Sequence, residues 1–252
     1  NASAMLFMGA KVTHLAELMD DDPAHSAKVA ELSCDLFDAL EPRLGLSRAD
    51  RELLDAGALL ANVGLFVSHS KHHKHSYYVI RNSDRLPGFT DREIEVIALI
   101  ARYHRQATPK KSHDGYCELK GALRKTVKRL SAMVRLAEGL DRSHAQALAG
   151  IDLYPRGDDY LARLRTTGDA ELELWAAHRH VAPLEAMLGK PLRFEVAGTD
   201  YQRRDDAPAH DAQKPHAEQP DDAPRVPGKA VRGRRHRRVR KDDAAGAAGE
   251  VA

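Results

Sequence analysis

Between Asp22 and Leu140 the chain is written almost wholly in helical period, and this limits what it can fold into more than any other property. In "DPAHSAKVAELSCDLFDALEP" Asp22 stands as the N-cap, Pro23 takes the first helical position, and the helix is expected to end near Pro42. Proline suits that first position because its φ is already helical and the N–H it lacks would have had no partner. Val29, Leu32, Leu36, Phe37 and Leu40 recur at three- and four-residue intervals, which places them on one face. A second helix is predicted from Ser47 through "RADRELLDAGALLANVGLF", and a third from about Ser70 to Arg81. "RLPGF" then breaks the chain, and Thr90 with Glu93 forms a capping box for "DREIEVIALIARYHR". After the loop "TPKKSHDGY" a long helix is expected from about Leu119 to Leu140. Five or six helices of this kind make an all-α domain, residues 11–148.

From Ile151 the period shortens. "IDLYP" and "DYLARLRTT" alternate as strands do, with the turn "RGDD" between them. "DAELELWAAHRHVAPLEAMLG" reads as a helix capped by Asp169, interrupted at Pro183 and stopped by Gly189, and "PLRFEVAG" closes as a strand. The fold class expected is therefore mainly α, a helical bundle followed by a small α+β module of ββαβ order at 151–198. Residues 199–252 lack an apolar period and are rich in Pro, Asp, Gln and Ala, too little to offset chain entropy, so a disordered tail is expected.

Composition narrows the class further. Of 252 residues, 42% are hydrophobic and 30% charged, enough for one well-cored domain with a smaller companion or a tail. Net charge is +2, and from Asp200 onward 12 Lys/Arg face 10 Asp/Glu, which leaves the body balanced. The basic run at 228–241 suits phosphate-bearing partners, nucleic acid among them, or simply keeps the tail soluble. Two cysteines, Cys34 and Cys117, without CxxC or Cys/His zinc spacing, fit a reducing compartment. "MLFMGA" is too short for a signal sequence or a membrane span, and the leading "NASAM" reads as an appended scar, so a cytoplasmic protein is expected. Internal repeats, a glycine-rich phosphate loop and a serine-nucleophile elbow are all missing from the sequence.

The chemistry concentrates in "SHSKHHKHSYYVIR", where four of fourteen histidines fall within seven residues. On a helix His69, His72 and His73 share a face. Lys71, Lys74, Arg81 and Arg85 surround them, a setting that repels a metal cation and attracts phosphate. His104 and Arg105, with Lys110 and Lys111 beyond, extend such a surface if the helices pack side by side. Two other readings stand beside this one: a metal site, and helix packing with Tyr77, Tyr78 and Ile80 in the core.

The stretch "HHKHSYYVIRNSDRLPGFTDREIEVIALIARYHR", with "RLAEGLDRSH" and "DAELELW" downstream, resembles the C-terminal region of the exopolyphosphatase/guanosine-pentaphosphate phosphohydrolase (Ppx/GppA) family, over roughly residues 12–197. The resemblance implies an HD-domain-like helical bundle followed by a small α/β module, with the catalytic machinery in an actin-like half that these residues do not include. It also implies where an HD metal site would lie. The first ligand position falls on His25, the adjacent His-Asp pair on Ala61-Asn62, and the late Asp on Asp141. Alanine cannot ligate and asparagine carries no charge to offset a cation, so neither a metal, a cofactor nor a catalytic residue is expected.

An accessory module that binds polyphosphate or another phosphate polymer and forms a homodimer is the leading expectation. Its polyanion-binding residues would be Lys71, His72, His73, Lys74, His75, Arg81, His104 and Arg105, and it would act either by itself or with a separately encoded catalytic half. Trp175, in an apolar helical stretch, would serve the dimer or the core. The alternative is a degenerate HD phosphohydrolase that acts on a nucleotide or polyphosphate with Mg or another divalent metal.

Overall fold

Helix α1 (Ala2–Met19) opens the chain, ahead of the first helix expected from sequence, and contributes Val12, Leu15 and Ala16 to the core. The computed structural model describes residues 2–197; the expected disorder of 199–252 and the basic run 228–241 lie outside them. Helix α2 (Pro23–Leu44) begins as predicted, with Asp22 Oδ1 accepting from the His25 backbone N–H at 3.1 Å. It runs two residues past Pro42 and stops at Gly45, whose φ of 58° the missing Cβ permits. A proline in the last turn removes one backbone bond where the ladder is ending anyway, so the helix survives it.

Helix α3 (Arg48–Leu59) carries the Ser47/Asp50 capping box, but it stops well before the predicted Phe66. The chain tightens instead into a 3₁₀ turn, Val63–Phe66. Gly64 explains the break: a Cβ there would run into the His72 carbonyl and the Ser76 nitrogen. The close approach is locked by two bonds, Gly64 N–H to Ser76 Oγ at 3.0 Å and Ser76 O–H to the Ala61 carbonyl at 2.6 Å. Helices α4 (His72–Arg81), α5 (Asp91–Arg102) and α6 (Gly121–Leu140) follow, with the Thr90/Glu93 capping box formed as predicted. Their apolar faces, Ile80, Ile97, Leu99, Ile100, Leu130 and Leu136 among them, are fully buried against Leu32, Phe37 and Leu54.

The sheet module starts three residues earlier than predicted. Strands β1 (Leu148–Arg156) and β2 (Asp159–Thr166) pair antiparallel, Ile151 opposite Leu164, across a two-residue turn at Gly157. Helices α7 (Glu171–His180) and α8 (Ala182–Leu188), divided at Val181 just before Pro183, lead to β3 (Leu192–Val196), which pairs parallel with β2. The fold class is thus mainly α with a small α/β module. The sheet packs on α2 through β1, and α7 packs on α6. At Gly139 of α6 an added Cβ would lie 3.2 Å from the Ala176 backbone, so glycine lets α7 come this close. Among the described residues, no helix is long and apolar enough to cross a membrane.

Candidate functional site: an arginine-rimmed cavity at the end of α6

The close contact of α6 with α7 brings one face of α7 over a cavity of about 780 Å³. His25, Asn62, His72, His104 and Glu138 form part of its wall. The positions implied as a metal motif do converge here, and they hold one another. His25, 4% exposed, places Nδ1 2.8 Å from Asp141 Oδ2 and Nε2 3.3 Å from Glu138 Oε2. Asp141 is 0% exposed, and its Oδ1 accepts from the Gln146 backbone N–H at 2.8 Å. Asn62 donates to the other Glu138 oxygen at 3.2 Å. His144 stacks on His25 with ring centroids 3.8 Å apart, and its Nδ1 lies 2.7 Å from Asp22 Oδ2.

Burial alone would lower the pKa of His25, yet the Asp141 and Glu138 carboxylates outweigh it and raise it to about 10. Glu138 shifts the opposite way, below the usual carboxylate range: burial would raise it, but the His25 imidazolium and the Asn62 amide favour the ionised form. With both ring nitrogens against carboxylates, His25 is held as an imidazolium that donates to Asp141 and to Glu138. Ala61 offers no side-chain donor, and Asn62 spends its amide on Glu138. These residues lack the adjacent His-Asp pair of the implied motif, and so they do not fit the divalent metal it would hold.

A second histidine pair has the opposite character. His104 Nδ1 lies 2.6 Å from the Ala101 carbonyl, so it donates there, and its Nε2 accepts from His72 Nε2 at 3.2 Å. His72 Nδ1 then accepts from Arg105 Nη1 at 3.3 Å. Such a chain, Arg105 to His72 to His104 to Ala101, holds both rings neutral. Burial lowers the pKa of His72 to about 4, helped by His104 and Arg105, and pushes His104 down as well.

The two histidine classes work against each other with pH. His72 and His104 have folded values below the unfolded value near 6.5, so the stability they carry is whole above it and is lost as pH falls, through about 4 for His72. His25 has a folded value above it, so its contribution is whole below roughly 6.5 and is lost as pH rises through about 10. Stability should therefore peak near neutrality. Urea unfolding at acid, neutral and alkaline pH will show it; a midpoint that climbs steadily across the whole range would mean that His25 carries no charge.

Arg105, Arg135, Arg142 and Arg179 all line the cavity. Arg135 donates through Nη2 to the Gln106 carbonyl, while its Nη1 is buried without a hydrogen-bond partner, and burial lowers its pKa. His180 is pushed below its ordinary value by burial and then by Arg135, Arg179 and Arg142, which reports how close these cations lie. The backbone is strained in the same place. Among the described residues, the four non-glycine residues with positive φ are Lys71, Gln106, His144 and Gln146. Gln106 and His144 line the cavity, Lys71 precedes His72, and Gln146 binds Asp141. Strain concentrated this way marks functional ground in many proteins.

Of the eight residues expected to bind a polyanion, the cavity wall includes His72, His104 and Arg105. Lys71 is exposed at the start of α4, Lys74 and His75 are half-buried on that helix, and His73 is buried, with its pKa lowered to about 3 by burial and by neighbouring His104, His72 and Arg105. Arg81 is engaged elsewhere, 2.8 Å from Asp91 and 2.6 Å from Glu95. Of the residues expected to pack, Ile80 is fully buried, Tyr77 partly, and Tyr78 is 67% exposed. Trp175 is 56% exposed at the cavity, not in the core, with the Arg179 guanidinium 5.0 Å from its ring centroid. Sequence reading missed Arg135, Glu138, Arg142 and Arg179. The available signals were the three-residue spacing of Arg135, Glu138 and Asp141, inside "RLAEGLDRSH", and the four-residue spacing of Trp175, the last residue of "DAELELW", and Arg179.

Residues 9–167 match the family described as Ppx/GppA phosphatase, domain III. The chain belongs to the Ppx/GppA phosphatase family. The matched span runs from α1 through β2, so the domain III region supplies every cavity residue except those on α7. Two curated relatives are guanosine-5'-triphosphate,3'-diphosphate pyrophosphatases. That of Pseudoalteromonas translucida (strain TAC 125) is 35% identical over 85 residues, which are 34% of this chain and 16% of the relative. That of Aeromonas hydrophila subsp. hydrophila is 32% identical over 80 residues, 31% of this chain and again 16% of the relative. The matched stretch thus spans about a sixth of the length of these relatives.

Proposed function

We propose that this domain III region is an accessory module of a Ppx/GppA-type protein that binds phosphate-bearing anions, polyphosphate in particular, in the cavity at the end of α6. What carries this reading is the unpartnered Nη1 of Arg135, a half-desolvated cation in a wall shared with three other guanidiniums. A buried donor without an acceptor costs about 1–3 kcal/mol, and an anion in the cavity removes that cost. The neutral His72–His104 pair supports the same reading, because an arriving phosphate favours a proton on His72 Nδ1, which keeps the bond from His72 to His104 and releases Arg105 Nη1 toward the anion. No catalytic residue is assigned; cleavage belongs to a catalytic half outside these residues.

Binding of inorganic polyphosphate by the chain, followed by titration calorimetry at rising salt, tests the proposal. If four arginines each neutralise one phosphate, affinity should fall roughly 50-fold between 50 and 200 mM salt, by the counterion-release relation for single-stranded polyanions. Salt-insensitive binding, or none, would refute it. Self-association is part of the proposed role, supported by Phe66 and Val67, which are 65% and 54% exposed side by side. Light scattering at high concentration is expected to find a dimer, and a strictly monomeric species would exclude one.

A further inference from the structure

The small sheet has one covered edge and one open one. β1, at one side, lies on α2, and Asp35 of that helix accepts the outward Ile151 backbone N–H at 3.0 Å. β3, at the other side, has β2 as its one strand neighbour among the described residues. Odd-numbered residues make the bonds to β2: Pro191 accepts from the Tyr160 N–H at 2.9 Å, and Ala197 donates to the Leu164 carbonyl at 2.9 Å. Backbone groups alternate along a strand, so those of Leu192, Phe194 and Val196 point away from the sheet. Glu185 Oε1 takes the Leu192 N–H at 2.8 Å and plugs one end, which leaves the groups of Phe194 and Val196 as the open part. An open strand edge is a template for another strand.

The side chains along this edge specify which strand. Arg193, Phe194 and Glu195 are consecutive, a cation and an anion on either side of an aromatic ring. Arg193 and Glu195 share one face of the sheet and reach Asp159 at 3.5 Å and Arg163 at 3.2 Å, yet their side chains stay 55% and 42% exposed. Phe194 is half-buried on the other face, its ring 5.1 Å from that of His178 on α7. Reversed, as an antiparallel neighbour runs, the segment is the charge complement of itself.

We infer that β3 is a self-docking edge: two copies of the chain pair it antiparallel about a two-fold axis through Phe194, and their sheets join into one. In this register Phe194 exchanges both backbone bonds with Phe194 of the second copy, and the Val196 N–H reaches the Leu192 carbonyl across the axis. Arg193 falls opposite Glu195 of the second copy, and Glu195 opposite Arg193, in the non-hydrogen-bonded positions where side chains lie closest. A patch that contacts itself is what a closed dimer requires. The inference rests on the self-association proposed above and gives it a surface and a register; the exposed pair Phe66 and Val67 gives no register.

Analytical ultracentrifugation of the full chain tests this with two charge reversals. Arg193→Glu sets glutamates opposite one another across the axis, and Glu195→Arg does the same with arginines. Each should weaken the homodimer about 10-fold or more, since two cross-strand pairs turn from attraction to repulsion. Mixed in equal amounts, the two variants should recover a dimer of near wild-type affinity, because each now carries the complement of the other. Both positions are exposed, so the fold should persist, and urea unfolding of each variant checks that. Val196→Pro, which removes an outward N–H and no bond to β2, should also weaken association. Homodimers untouched by all three variants would overturn the inference and leave self-association standing on another surface. Weakening that mixing does not repair would overturn it as well, because the loss would then trace to the intrachain pairs with Asp159 and Arg163. A chain that is monomeric throughout would overturn both the inference and the self-association on which it rests.

Discussion

Asp141→Ala is expected to destabilise the fold by about 3–5 kcal/mol, the usual cost of stripping one partner from a buried ion pair. Three features make this change damaging. Asp141 is fully buried, it holds the buried imidazolium of His25 at 2.8 Å, and it accepts the backbone N–H of Gln146, which sits at a strained positive φ of 50°. Without it, His25 keeps only the longer contact to Glu138 and must either remain charged in a half-empty environment or release its proton. For a protein whose total stability is on the order of 5–15 kcal/mol, that loss is a large share. Asp141→Asn keeps the acceptor oxygen and loses the charge, so an intermediate cost is expected. Urea unfolding measures both; a cost for the alanine variant below about 1 kcal/mol, the level of an ordinary hydrogen bond, would show that the pair is not ionised.

Arg135→Gln should separate binding from stability in opposite directions. Loss of a charge-assisted contact to phosphate, worth about 1.5–3 kcal/mol, lowers polyphosphate affinity roughly 10- to 150-fold. Stability should rise, by about 1 kcal/mol, because the variant removes a desolvated guanidinium with an orphan nitrogen. A residue held at a cost in the free protein and repaid by ligand is the signature of a binding group. If the variant were instead less stable and bound as tightly, Arg135 would be a structural residue and the proposed site would fall with it.

The sequence by itself determined where α2, α3 and α5 begin, because their signals are local. Asp22 with Pro23, Ser47 with Asp50, and Thr90 with Glu93 satisfy backbone donors within three residues of themselves, so no distant contact is needed to read them. The same holds for the change of period at the sheet and for the family, which lay legible in the runs from His72 to Arg105 and from Arg135 to His144. The early end of α3 was not legible, since it depends on how near α4 passes to Gly64.

Only the tertiary structure decided the site. His25 and Asp141 are 116 residues apart; the family resemblance puts them at one site, but nothing near either shows that they meet as an ion pair with Glu138 between the histidine and Asn62. Burial, too, belongs to the assembled bundle: it turns His72 and His104 neutral inside a segment that reads as cationic, and it strands one nitrogen of Arg135. Charge on an imidazole is set by its surroundings, and those surroundings here come from α2, α4, α6 and the residue after α5, elements that sequence order keeps far apart. Local periodicity reports which face of a helix is apolar; which face it meets is a long-range fact, and the chemistry of this cavity depends on that.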